Sequence, residues 1–395
     1  MNKKVPLGTV IGIIIIIVAI TFTATMGVSW KLYNNTLSEN TNLKTAISKL
    51  GETDQLVRQY SLENIDETAL NDAIISGYIS GIGDKYAYYT SAGMSESSNN
   101  SKNGLATGIG ISYVVDPGNK LPCITLVHSG TSADTSGLKV GDYIIQTPAG
   151  KTESVGADAA MQSLVGKDGE TKALTVLRNG QTVNVVCTVS QYETTSVYGY
   201  VRGSIGVIRI LSFNNLSVQQ FKNTLQSLYD QNVTGIVFDI RHNEGGILSV
   251  AKDIVDIILP EGTIYTAEYT NGEVETYASD ASSVTLPMVL LIDSKTASAA
   301  EMFAAAIKDH YAGPLVGMTT FGKGVTQRTY TLSDDSMITI TVANLLSPKG
   351  NNYNEVGIEP TYTVALSVKT DEEFYLIDFN EDIQLQTAIG ILNNQ

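Results

Sequence analysis

From Gly203 onward, the sequence alternates between apolar runs of strand length and stretches with helical periodicity. The expected strands and helices follow one another in chain order, as residues 205–210, 217–230, 235–241, 248–259, 288–292 and 298–310. Such alternation is typical of a layered α/β domain, because each helix has to bury its apolar face against a sheet. We therefore predict an α/β domain over residues 192–395.

The preceding residues have a different periodicity. Residues 96–191 contain short alternating runs and a strand pair that turns at Asn179 and Gly180, which predicts a β-rich module. Residues 29–95 have apolar side chains at helical spacing, which predicts a helical region. Residues 91–103, which span the boundary between these two regions, are rich in Ser, Asn and Gly, and we interpret them as a linker.

The N-terminus carries an apolar stretch without charged side chains, residues 7–28. A stretch of this length can cross a bilayer as a helix. Lys3 and Lys4 precede it, so the positive-inside rule puts residues 1–6 in the cytoplasm and the rest of the chain outside. A cleaved signal peptide is the alternative, and it would leave the body of the chain in the same compartment. We expect a single-pass protein of the cell membrane.

Charge and composition exclude several classes of function. The chain has 395 residues and a formal net charge of -15, which argues against nucleic acid as a partner. Cys123 and Cys187 are its only cysteines, so it has neither a disulfide-built scaffold nor a four-cysteine zinc site. Free thiols and one disulfide both stay open. No HExxH-like spacing occurs, and we expect neither a metal nor another cofactor.

Ser298 stands where an expected strand hands over to an expected helix, within the sequence Thr-Ala-Ser-Ala-Ala-Glu at residues 296–301. Backbone N–H groups at a helix start have no intrahelical partner and favour negative charge. A serine there could attack a carbonyl while the Ala299 N–H binds the developing oxyanion. The alternative is that Ser298 only caps the helix.

Two glycine-containing segments are further candidates. Lys323 lies between Gly322 and Gly324, and a lysine held in a desolvated pocket can act as a base. Otherwise it is a solvated turn residue. Residues 238–246 end in Gly245 and Gly246, which either offer a second N–H to an oxyanion or simply form a tight turn.

Other conspicuous side chains have less direct interpretations. His242 is an alternative base near the glycine pair, whereas His310 would lie too far along the helix to reach Ser298. We interpret Tyr86, Tyr88 and Tyr89 as packing residues.

Together these segments resemble the carboxy-terminal processing, or tail-specific, proteases. The serine motif of that family, [ST]-A-S-A-x-E, corresponds to residues 296–301, and its lysine motif, F-G-K-G-x-x-Q, to residues 321–327. Residues 239–246 fit D-L-R-x-N-P-G-G with Ile240 for Leu and Glu244 for Pro. Further similar segments are residues 84–89, 357–360 and 382–386.

The resemblance implies a fold and a set of roles. The expected fold class is α/β, a crotonase-like Ser-Lys protease core preceded by a β-rich PDZ domain and by an N-terminal helical segment after a transmembrane helix. Ser298 would be the nucleophile, Lys323 its general base and Gln327 the residue that orients the lysine. Ala299 with Gly245 or Gly246 would bind the oxyanion.

The β-rich module resembles a PDZ domain through two segments. Gly108, Ile109, Gly110 and Ile111 correspond to the loop whose N–H groups bind a peptide carboxylate, and residues 137–142 fit G-L-x-x-G-D. A bound peptide would add a strand to the module. The resemblance thus implies recognition of substrate C-terminal tails.

The expected function is that of a membrane-anchored serine endopeptidase that cleaves envelope or secreted proteins outside the cytoplasm. A non-catalytic, chaperone-like peptide-binding protein on the same fold is the main alternative, and a crotonase-like acyl-CoA enzyme is another. A homo-oligomer stays open.

Overall fold

The computed structural model describes residue 14, residues 17–29 and residues 41–394. Residues 17–29 are helical. The predicted cytoplasmic segment 1–6, and residues 7–13, 15 and 16 of the predicted anchor 7–28, lie outside the described residues. In the part of the chain that is described, no helix has both the length and the hydropathy that a membrane span requires.

The chain divides into two compact units, residues 1–74 and residues 75–395. In the first unit, helix α1 (Thr41–Tyr60) is followed by the start of α2 (Glu67–Gly81). Arg58 joins them, because its guanidinium pairs with Asp54 at 2.8 Å and with Glu67 at 2.6 Å. The helices predicted for this region are therefore present.

The second unit contains the remaining elements. Its helices after α2 are α3 (Ala92–Lys102), α4 (Ser132–Thr135), α5 (Thr152–Val155), α6 (Ala157–Gln162), α7 (Ser217–Asp230), α8 (Leu248–Ile258), α9 (Ala299–Asp309), α10 (Asp371–Leu376) and α11 (Ile383–Asn393). Its strands are β1 (Tyr88–Thr90), β2 (Leu105–Gly108), β3 (Ile111–Val115), β4 (Pro122–Val127), β5 (Tyr143–Thr147), β6 (Gly150–Lys151), β7 (Thr171–Arg178), β8 (Gln181–Thr188), β9 (Ser190–Glu193), β10 (Val197–Arg202), β11 (Ile205–Ile210), β12 (Gly235–Asp239), β13 (Gly262–Tyr269), β14 (Val274–Ser279), β15 (Met288–Ile292), β16 (Leu315–Gly317), β17 (Val325–Thr331), β18 (Met337–Leu346) and β19 (Tyr362–Thr363).

The predicted α/β layering is confirmed. One sheet has the order β10-β11-β12-β15-β16-β19, and its strands from β11 onward are parallel. Strands β12 and β15 are buried throughout, as expected of apolar strands covered on both faces. Phe221 of α7 and Phe303 of α9 pack against Phe238 of β12. Because β12 and β15 are adjacent and parallel, the loops after them meet at one edge of the sheet.

A second sheet has the order β1-β18-β13-β14, with β17 also paired to β18. No local pattern in the sequence predicts this sheet. Its strand β17 begins two residues after Lys323 and pairs with residues 337–344 of β18, while β1 pairs with residues 337–339 of the same strand. The sheet therefore brings the segment before β1 close to the segment that carries the lysine.

The β-rich module has its own sheet, β3-β4-β5-β7-β8, and its own apolar core. The predicted turn between β7 and β8 is confirmed, with positive φ at Asn179 (49°) and Gly180 (77°). Cys123 and Cys187 are free and buried, so the thiol alternative holds.

The linker prediction for residues 91–103 is wrong. Most of this segment is helix α3, and the predicted boundary at residue 96 falls inside that helix. Tertiary contacts hold it, since Asn215 donates its N–H to the Lys102 carbonyl at 2.9 Å and its side-chain amide to Asn103 at 2.8 Å. Such contacts outweigh a composition that disfavours a helix.

Candidate active site

A cavity of about 730 Å³ opens at the edge of the sheet where the loops after β12 and β15 meet. Its lining includes Ser298, Lys323, Gln327, Gly246 and Tyr86. The structure thus brings together candidates that are far apart in the sequence. The predicted nucleophile, base and orienting residue face one space.

Ser298 occupies the sharp turn between β15 and α9. It is the N-cap residue of α9, as the alternative interpretation had it, but its backbone has φ 58° and ψ -120°. Residues other than glycine rarely adopt this backbone conformation, and backbone strain of this kind is concentrated at functional sites. Ser298 is half-buried and lines the cavity, so the cap position and a chemical role are compatible.

A buried carboxylate connects the serine turn to the lysine loop. Glu301 is fully buried, and it accepts the Ser298 N–H at 2.9 Å and the Lys323 N–H at 2.7 Å on one oxygen. Its other oxygen accepts the Gly322 N–H and the Thr320 hydroxyl, both at 2.6 Å. Charge-assisted bonds of this kind are short and directional. One side chain therefore fixes the backbone of both candidate catalytic residues.

Lys323 is held in a partly desolvated position. Burial lowers the pKa of its amine, the negative charges of Glu301 and Asp84 oppose this shift, and Lys85 adds to it. The Lys323 Nζ lies 4.6 Å from the centroid of the Tyr86 ring. The alternative of a freely solvated turn lysine does not fit this environment.

The glycine loop after β12 packs against the serine turn. A Cβ on Gly245 would lie 2.8 Å from the Ala297 carbonyl oxygen and 3.0 Å from the Ala299 nitrogen, and one on Gly246 would lie 2.3 Å from the Phe213 carbonyl oxygen. Only glycine allows this approach. Glu244, which stands where the family motif has proline, does not prevent this close approach.

The two glycines that are candidates for binding the oxyanion differ in whether their N–H group is available. The Gly245 N–H donates to Asn243 Oδ1 at 2.8 Å, so that donor is already occupied. Within residues 41–394, no backbone or side-chain acceptor is found for the N–H of Gly246 or of Ala299. These two N–H groups are thus the ones free to bind an oxyanion.

Gln327 does not hydrogen-bond directly to Lys323 in the described chain. Its side-chain amide donates to Thr341 Oγ1 at 3.2 Å, next to a bulge between β17 and β18. The predicted orienting role therefore does not rest on a direct hydrogen bond in this conformation.

Neither histidine candidate lines the cavity. The His242 Nδ1 lies 2.5 Å from Asp293 Oδ2, and the ring stacks on Phe374 with 3.7 Å between the centroids. His310 Nε2 contacts the Thr263 carbonyl at 2.7 Å. Both rings are engaged elsewhere, which disfavours His242 as the base.

A second groove lies on the β-rich module. It has a volume of about 400 Å³, and its lining contains the predicted carboxylate loop, Gly108, Ile109, Gly110 and Ile111. Met161 and Val165 also line this groove. Strand β3 is the edge strand of its sheet as described, so a further strand has room to pair there.

Residues 204–364 match peptidase family S41. The chain is a serine-type peptidase. The acyl-CoA and the non-catalytic alternatives are therefore not retained. The match covers the β11–β19 region, in which the serine turn, the glycine loop and the lysine loop all lie.

Relatives extend the similarity beyond this region. A CtpA-like serine protease of Staphylococcus haemolyticus is 25% identical over 406 residues, which cover 99% of the peptidase and 81% of the relative. The carboxy-terminal processing protease CtpA of Bacillus subtilis is 29% identical over 317 residues, 79% of the peptidase and 67% of the relative. Among solved structures, an S41 protease of Bacteroides fragilis superposes with a TM-score of 0.61 at 15% identity, over 86% and 96% of the two chains.

Three residues that shape the site of the peptidase have no predicted role in catalysis. Glu301 and Asn243 stand inside the quoted motifs, and that position was the only available signal. For Tyr86 the sequence favours a packing role, because nothing local shows that it contacts Lys323.

We expect Glu301→Gln to impair both folding and activity. The amide has one acceptor oxygen, so its NH₂ group would face N–H donors that the carboxylate now satisfies. The expected loss is about 1–3 kcal/mol in the free energy of unfolding, with activity falling at least roughly tenfold. Denaturant unfolding and a peptidase assay would measure both.

The matched control is Glu359→Gln, because Glu359 is exposed. We expect it to behave like the native chain. Native-like activity and stability in Glu301→Gln would contradict the bridging role of this carboxylate.

Proposed function

We propose that the peptidase is an endopeptidase with a Ser298–Lys323 dyad. The observation that carries this proposal is the shared cavity, in which the strained serine turn and the desolvated lysine are joined through Glu301. The established serine-type activity needs a nucleophile, and within the described chain Ser298 is the serine at a strand-to-helix turn in this cavity.

The proposed mechanism needs no cofactor. Ser298 Oγ attacks the scissile carbonyl while neutral Lys323 takes the hydroxyl proton. The N–H groups of Ala299 and Gly246 bind the oxyanion. The Lys323 ammonium then gives its proton to the leaving amine, and the C–N bond breaks. Water, activated by the neutral lysine, hydrolyses the acyl-enzyme and restores Ser298.

Removing either dyad member should abolish cleavage. We expect Ser298→Ala and Lys323→Ala to lower kcat by roughly 10⁴-fold or more. Lys323→Arg should be inactive too, because arginine stays protonated. Cleavage of an unfolded protein by the full chain would be followed, with exposed Lys222→Ala as the control. Equal cleavage by all variants would refute the dyad.

The pH dependence has a defined sign. Only neutral Lys323 accepts a proton, and burial lowers its pKa. We therefore expect kcat/KM to rise with pH through that lowered pKa and then to level off. A rate that stays constant from alkaline to acidic pH, measured where the protein is folded, would count against Lys323 as base.

We also propose that the β-rich module is a PDZ domain that captures substrate C-terminal tails. Support comes from the groove beside the edge strand β3 and from its glycine-containing loop. Strand addition there would bind an extended tail through backbone hydrogen bonds, and the loop N–H groups would hold the terminal carboxylate.

Val165→Glu should weaken this capture. Val165 is 51% exposed and lines the groove, so a carboxylate there would repel the tail without disturbing the core. We expect KM for a substrate with a free carboxyl terminus to rise about tenfold, consistent with about 1.4 kcal/mol of lost binding. Val140→Glu, at 49% exposure in the same module, is the matched control.

A substrate with an amidated C-terminus gives the complementary measurement. The native chain should then show a similar increase in KM, and Val165→Glu should add little. Equal KM values for the free and amidated substrates would contradict tail recognition.

We further propose that residues 7–28 anchor the peptidase in the cell membrane, with its catalytic domain outside the cytoplasm. Support comes from the uncharged apolar stretch behind Lys3 and Lys4. The full chain should stay with the membrane pellet after alkaline extraction, and the double variant Val18→Lys, Ile20→Lys should be released. Release of the native chain, with its N-terminus starting beyond residue 28, would indicate a cleaved signal peptide instead.

A further inference from the structure

The segment before β1 adds an aromatic wall to the catalytic cavity. Tyr86 lines that cavity, and its ring centroid lies 4.6 Å from the Lys323 Nζ. The Lys85 Nζ approaches the same ring at 4.8 Å. A ring at this distance occupies space that water would otherwise take around the amine.

The position of this ring is fixed by a built turn. The Asp84 carboxylate accepts the Tyr86 N–H at 2.9 Å, and it also accepts the N–H of Thr341 at 2.8 Å and the Thr341 hydroxyl at 3.0 Å. These hydrogen bonds outweigh the burial that would otherwise raise the pKa of Asp84, and they hold that pKa below its usual value. The turn is thereby tied to β18 across a separation of 257 residues.

The same threonine carries the predicted orienting residue. Gln327 donates to Thr341 Oγ1, whose hydroxyl in turn donates to Asp84. A continuous path of hydrogen bonds therefore runs from Gln327 through Thr341 and Asp84 to the backbone of Tyr86. This path connects Gln327 to the surroundings of the lysine amine without a direct contact.

We propose that Tyr86 is a positioning residue, whose ring covers the Lys323 amine and excludes water from it, and which the Gln327–Thr341–Asp84 path holds in place. The inference rests on the proposed dyad, because covering the amine matters for catalysis only if Lys323 is the base. Under this proposal, segment 84–90 contributes to catalysis, although it lies outside the residues matched to the peptidase family.

Two effects of the ring oppose each other. Exclusion of water disfavours the ammonium, whereas the face of the ring attracts it. Glu301 and Asp84 also favour the ammonium, and Lys85 disfavours it. Burial is the largest of the influences on the pKa of this lysine, and the Tyr86 ring contributes to that burial by its position over the amine. Removing the ring should therefore favour the protonated amine.

The test is the pH dependence of two quantities in the full chain. The first is the rate at which an amine-reactive anhydride labels Lys323, read by mass spectrometry of its peptide, and the second is kcat/KM. We expect both midpoints to move upward by about one pH unit in Tyr86→Ala, and kcat/KM below the midpoint to fall about tenfold. Tyr86→Phe should keep the native midpoints, because it keeps the ring.

Further variants keep the proposal testable even if Tyr86→Ala does not fold. Tyr86→Leu keeps apolar cover, and Thr341→Val removes the hydroxyl that connects Gln327 to Asp84 while keeping the shape of the side chain. We expect Tyr86→Leu to stay within a few tenths of a pH unit of the native chain and Thr341→Val to shift in the direction of Tyr86→Ala. Tyr78→Ala, at an exposed tyrosine of helix α2, is the matched control and should not shift.

The two readouts separate this inference from the proposed dyad. If the labelling midpoint moves in Tyr86→Ala but the pH–rate profile does not, Tyr86 does cover Lys323 and the lysine is not the base. If the labelling midpoint of Lys323 stays at its native value in folded Tyr86→Ala, the proposed covering role of Tyr86 is overturned, whatever the activity does.

Discussion

The site depends on one buried carboxylate. Glu301 belongs to helix α9, yet it binds backbone N–H groups of both the serine turn and the lysine loop. A buried charge is costly unless it is fully hydrogen-bonded, so the two loops are held where they satisfy it. The strained backbone of Ser298 persists because its N–H is fixed in this way. The need to satisfy the buried carboxylate with hydrogen bonds therefore also fixes the geometry of the site.

The glycine loop adds a constraint of a different kind, which is steric. Gly245 and Gly246 lie so near Ala297, Ala299 and Phe213 that any side chain would displace the backbone. Asn243 then decides which N–H stays free, because its side chain accepts the Gly245 N–H and donates to the Ile210 carbonyl. The loop thus has its shape from close packing and its available donor from one buried amide.

Local sequence patterns predicted strands β11, β12 and β15 of the parallel sheet, because these strands are continuous apolar runs. Strand β15 and helix α7 have the predicted bounds, and β11 does too. Helix α3 was missed, since its Ser, Asn and Gly residues disfavour a helix and distant contacts stabilise it. The residues of the site show the same contrast between local patterns and distant contacts. Local motifs predict Ser298 and Lys323 as candidates, whereas the contacts that bring Tyr86 and Thr341 to the site exist only through the pairing of β1 with β18.

This pairing also changes how the lysine should be understood. Glu301 fixes the backbone of Lys323 but favours its charged form, which is the wrong form for a base. The proposed role as base therefore requires an influence that disfavours the ammonium, and desolvation is the largest one that the structure provides, with a smaller contribution from Lys85. The cover over the amine comes from a segment far from the peptidase motifs, held by Asp84 on β18. Any movement of that segment away from β18 would expose the amine to water and restore its proton affinity. In this arrangement the chemistry of the proposed dyad depends on the docking of residues that precede the β-rich module.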